Sequence, residues 1–77
     1  MEMRWVNPGL VIVKIEDRTL RVGGEAIIEG PVHFVIYGRC LTHWEDGTPI
    51  GGDEKAVVLR QVVDAALHRG WTFKIEW

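Results

Sequence analysis

Residues 53–69, followed by Gly70, constrain the fold more than any other stretch of the chain. Val58, Leu59, Val62, Val63, Ala66 and Leu67 recur at spacings of one, three and four, which stacks them along one helical face. Arg60, Gln61, Asp64 and Arg69 fall on the other side. Gly51, Gly52 or Asp53 can serve as N-cap, and Gly70 can take the left-handed conformation that ends a helix. Asp53 and Glu54 sit at the positive end of the helix dipole, His68 and Arg69 at the negative end. No other long helical pattern exists. Its apolar stripe needs a partner, and nearly everything else has the pattern of strand.

Residues 1–9 read as a lead-in, closed by the turn signal Asn7-Pro8-Gly9. Leu10–Ile15 is apolar and β-branched apart from Lys14, a first firm strand. Glu16-Asp17-Arg18 supplies a polar turn. Thr19–Val22 alternates, Gly23-Gly24 is a two-residue hairpin signal, and Glu25–Glu29 is the returning strand, closed by Gly30-Pro31. In Val32–Trp44 the even positions (Val32, Phe34, Ile36, Gly38, Cys40, Thr42, Trp44) make a core face, and the odd ones a mixed face. Gly38 is a candidate bulge, so the parity is firmest before it. After the polar loop Glu45–Gly52 and the helix, Trp71, Phe73, Ile75 and Trp77 alternate with Thr72, Lys74 and Glu76, giving a half-buried last strand over about 71–76.

The predicted architecture is β-β-β-β-α-β: an α+β domain with a mostly antiparallel sheet and one helix packed on one face. At 77 residues the chain has room for one domain, 1–77, and one modest core. One helix covers one sheet face. The other face would carry His33, Val35, Tyr37, the candidate Leu41 and one side of Leu10–Ile15, a surface suited to a partner or to a second copy.

Charge and composition exclude several classes. A formal net charge of -2 with no basic run lacks the footprint of a nucleic-acid binder. The chain has no serine, which removes serine-nucleophile chemistry. Leu10–Val13 is too short for a signal or membrane segment, so no membrane association and a cytoplasmic location are expected. The single cysteine, Cys40, cannot form an intrachain disulfide.

Cys40 and His43 invite a zinc site or a nucleophile pair. An offset of three in a straight strand places them on opposite faces, and His33, His43 and His68 are scattered, so no metal and no cofactor are expected. Cys40 is expected to be a small buried hydrophobe. The carboxylates Glu45, Asp46, Asp53 and Glu54 flank a glycine-rich loop. They serve first as turn formers and dipole partners, second as an acidic surface for a partner, and only distantly as acid–base catalysts. Of the four tryptophans, Trp44 and Trp71 are expected in the core; Trp5 and Trp77 are left open.

Residues 36–77 resemble the immunity protein 74 family of bacterial polymorphic toxin systems. The carriers are Ile36-Tyr37, Leu41-Thr42-His43-Trp44-Glu45, the loop Asp46–Ile50, Glu54-Lys55 opening the helix, and Arg69-Gly70-Trp71. The resemblance implies a small β-rich protein that neutralises a toxin by binding it, with no catalytic residue and no cofactor. The expected function is therefore a non-enzymatic inhibitor of a cognate toxin in a one-to-one complex. The partner-binding residues expected are Glu45, Asp46 and Asp53 on the acidic loop, and His33, Tyr37 and Arg39 on the second sheet face. The alternative is a self-associating structural or regulatory module, a homodimer formed through the uncovered face or an edge strand.

Overall fold

The computed structural model describes residues 1–77. It holds five strands and one α-helix: β1 Glu2–Asn7, β2 Leu10–Ile15, β3 Arg18–Ala26, β4 Phe34–Tyr37, α1 Gly52–His68 and β5 Phe73–Glu76, with a 3-10 turn at Gly38–Cys40. The strands form one sheet in chain order. All neighbours are antiparallel except β4 and β5, which run parallel, Phe34 opposite Phe73 and Ile36 opposite Ile75. The connection between those two strands contains α1, as a parallel pair requires. The expected α+β class and the β-β-β-β-α-β order both hold, although three stretches inside that order differ from expectation.

The first difference is residues 1–9, expected as a lead-in. Glu2–Asn7 is an edge strand, paired with β2 from Glu2 opposite Lys14 to Trp5 opposite Val11. Met3 and Trp5 point to the core side, while Glu2 and Arg4 are exposed. Asn7-Pro8-Gly9 does turn the chain, with Asn7 Oδ1 accepting from the Gly9 N–H at 2.8 Å.

The second is the hairpin expected at Gly23-Gly24. β3 runs straight through both glycines; its first six residues pair with β2, and Gly24–Ala26 pair with β4. Neither glycine has positive φ, so the type I′ signal is unused. Gly24 is required for a different reason. A Cβ there would collide with the Val35 carbonyl oxygen and lie 2.7 Å from Phe34 Cε2. The chain reverses later, between Ile27 and His33, where the Ile27 N–H donates to the His33 carbonyl at 2.9 Å and Gly30 has φ 92.

Val32–Trp44 is also shorter as a strand than expected. The 3-10 turn ends β4 after Tyr37 and shifts the parity, so Leu41 is buried and Cys40 exposed. Expectations of a buried Cys40 and an open-face Leu41 are thus both overturned at Gly38, the position flagged as a break. Leu41, Trp44 and Ile50 then reach the core from the connecting loop.

α1 starts at N-cap Gly51 and closes with the Gly70 N–H on the Leu67 carbonyl and the Trp71 N–H on the Ala66 carbonyl, with Gly70 at φ 80. This is a Schellman closure, which a glycine at that position permits. Val58, Leu59, Val62 and Ala66 are buried. Leu67, counted in the stripe, lies at its edge and is 61% exposed. The sheet curls so that Trp5 on β1 meets Phe34, Trp71 and Phe73 at ring-centroid distances of 5.4, 5.5 and 5.6 Å. No helix is long and apolar enough to cross a membrane.

Candidate functional site

The β2–β3 turn, the loop after β4 and the first turns of α1 meet at one end of the molecule. The turn is tight, with Ile15 opposite Arg18 across Glu16-Asp17, and Glu16 has φ 58. A non-glycine residue in the left-handed region costs about 1 kcal/mol. The loop is shaped by its own polar groups. Asp46 Oδ1 accepts from the Thr48 N–H at 2.8 Å, the Trp44 N–H donates to the Thr48 carbonyl, and Gly47 takes φ 91. The Glu45 N–H donates to the Thr19 carbonyl at 2.9 Å, clipping this loop to the start of β3. The helix dipole accounts for the acidic residues Asp53 and Glu54 in its first turn.

Between these segments runs a groove of about 500 Å³. Ile15, Trp44, Val57 and Val58 supply its apolar surface, and Glu16, Asp53, Glu54 and Gln61 its polar border. Val57 is 58% exposed there. Arg18 lies 4.0 Å from the Trp44 ring centroid, a cation–π contact that engages its charge. The Trp44 indole N–H points to Glu54 Oε1 at 3.4 Å, a long hydrogen bond. Asp17, Glu45 and Asp46 line a smaller hollow on the same arginine. Around Arg18 there are thus six carboxylates, at 16, 17, 45, 46, 53 and 54. Six against one guanidinium leave a formal −5, whereas the whole chain carries -2, so the rest of the molecule is positive by 3. Thr48 holds the Asp46 carboxyl below its ordinary range, through its side chain and then its backbone N–H.

The expected residues therefore divide. Glu45, Asp46 and Asp53 come together at this end; His33, Tyr37 and Arg39 line neither the groove nor its hollow. His33 is largely a clasp: its N–H donates to the Thr72 carbonyl at 2.8 Å, and its Nδ1 accepts from the Thr72 N–H at 2.9 Å. Tyr37 is on the open face, where its hydroxyl donates to Glu25 Oε2 at 2.7 Å, and Arg39 sits 6.0 Å from its ring. That bond to Glu25, with partial desolvation, raises the Tyr37 pKa above its ordinary value. Glu16, Asp17 and Arg18, read in sequence as a plain turn, were missing from the expected site. Only the bond from the Glu45 N–H to the Thr19 carbonyl, beside them in the chain, brings them to the acidic loop.

A neighbouring concavity of about 520 Å³, which shares Thr19 and Glu45 with the hollow, mixes Glu2, Arg4, Lys14 and Glu45 around Met3, Ile12 and Thr19. Its opposite charges compensate one another, so it favours no ligand of one sign. No group of three or more His, Cys, Asp or Glu is arranged to hold a metal ion. Comparisons with models of known protein families, with curated proteins and with solved structures found no match to this chain.

Proposed function

We propose that the protein is a non-enzymatic immunity protein, acting in the cytoplasm, that binds a cognate toxin and covers the toxin's active surface. The observation that carries this reading is the gathering of six carboxylates at one end of a nearly neutral molecule, Glu16, Asp53 and Glu54 bordering an exposed, partly apolar groove and Asp17, Glu45 and Asp46 the hollow beside it. Complementary fields of this kind steer a charged partner and fix its orientation. The resemblance of residues 36–77 to the immunity protein 74 family supports the same reading. Glu45, Asp46 and Asp53 are assigned to that contact, and Tyr37 with Arg39 to a lesser one on the open sheet face; no cofactor takes part.

The test is retention from the native host on the tagged protein, with mass spectrometry of whatever is held. One stoichiometric partner with a toxin-like C-terminal domain, and protection of cells co-expressing the two, is the expected result. Recovery of the bait alone while a neighbouring toxin-like gene is demonstrably expressed would sink the proposal.

A second reading, self-association, has its own observation. β1 and β5 are both open sheet edges, and Trp77, just past β5, is 59% exposed. A dimer persisting at low micromolar concentration in light scattering would favour it.

A further inference from the structure

We propose that the groove between the β2–β3 turn and α1 receives a basic, amphipathic segment of the partner protein, one that sets a large aliphatic side chain on Val57, Val58 and Ile15 and places lysine or arginine among the surrounding carboxylates. This deepens the binding reading above and rests on it. Two features of the groove carry the assignment together. Its floor is apolar, with Val57 58% exposed and Ile15 half-buried over the buried Trp44 and Val58. Its border is net negative, Glu16, Asp53 and Glu54 against the single cation Arg18, which is held on the Trp44 ring at 4.0 Å. A ligand entering here meets three carboxylates against one guanidinium, an excess of negative charge. Nucleic acid and acidic peptides are repelled; a purely apolar segment would leave the carboxylates without partners. A segment carrying both cation and aliphatic side chain satisfies floor and border at once.

The probe is a short synthetic peptide alternating lysine and leucine, titrated into the intact protein and followed by two-dimensional NMR. The Trp44 indole N–H, aimed at Glu54, is the reporter. The expected result is a saturable shift of that signal and of the Val57 and Arg18 amides. Glu16→Gln and Asp53→Asn should each weaken binding about two- to fivefold. Val57→Lys, at an exposed helix position where lysine is well tolerated, should weaken it at least about tenfold by placing like charge on the floor. Arg21→Ala, on the open face, should leave it unchanged. Shifts centred on Tyr37 and Arg39, an affinity untouched by Val57→Lys in a variant of unchanged circular dichroism, or no binding at all would overturn the assignment. Failure of the toxin proposal is distinguishable. A toxin held equally by the wild type and by Val57→Lys refutes the groove and spares the function, whereas peptide binding at the groove without any toxin partner does the reverse.

Discussion

At Gly24 a methyl group would meet the Val35 carbonyl oxygen and the Phe34 ring, whereas at Gly23 it would meet nothing within 4 Å. The two glycines look alike in sequence, and their difference is set by β4 crossing close to one of them. Gly24→Ala is expected to lower stability by about 3 kcal/mol or more, because backbone cannot give way as a side-chain end can. Gly23→Ala is expected to be neutral or stabilising by about 0.5 kcal/mol. Urea midpoints of the two variants decide this. Tyr37 offers a second residue-scale test, since it is the single tyrosine and its ionisation can be followed directly by absorbance. Ionising it removes the proton given to Glu25 and sets two negative charges together, so its folded pKa exceeds the ordinary 10.0. Stability from this bond is fully present below pH 10 and is lost as pH rises through the folded value. Glu25→Gln should return the titration towards that of a free tyrosine; an unmoved curve would refute the pairing.

Within α1, burial separates residues that periodicity groups together. Leu59 is 0% exposed and Leu67 is 61% exposed, though both fit the same stripe. Leu59→Ala should cost about 3 kcal/mol and Leu67→Ala less than about 0.5 kcal/mol, read as shifts in the denaturation midpoint. The helix was legible in sequence because its stripe, acidic first turn and terminal glycine are local signals. β2 and β5 were legible for the same reason. β1 was not, because its inward residues gain their meaning from distant parts of the chain, Trp5 from the rings of Phe34, Trp71 and Phe73 and Met3 from the core. The straight passage of β3 through Gly23-Gly24 was hidden likewise: a hairpin signal is local, and the contact that overrides it is between strands. The groove was half legible. Glu45, Asp46 and Asp53 share one stretch of chain, but Glu16 and Asp17 join them only through the Glu45–Thr19 backbone bond.

Over the whole molecule, the curl of the sheet makes Trp5 a bridge between its two edges. A chain of this size has a total stability of roughly 4–12 kcal/mol. Trp5→Ala, which removes three edge-to-face aromatic contacts, is expected to cost about 3 kcal/mol and to flatten the near-ultraviolet circular dichroism. The same bridge explains how 77 residues enclose a core with one helix: the sheet supplies part of its own cover. Charge is distributed at this scale too, with the acidic end adjoining, at Glu45, a face that carries Arg4, Lys14 and Arg21.

The parallel pairing of β4 with β5 joins positions such as His33 and Thr72, 39 residues apart, while β1, β2 and β3 connect through short turns. Each doubling of a closed loop adds about 0.6 kcal/mol of entropy cost, so the meander can assemble while β5 is still free. The barrier to folding should then be crossed with β2 and β3 paired and β5 undocked. Leu20→Ala should slow refolding, whereas Phe73→Leu should leave the refolding rate nearly unchanged and accelerate unfolding. Stopped-flow rates on both variants would reveal the order, and with it the route by which the chain first comes apart: from β5, at the parallel seam.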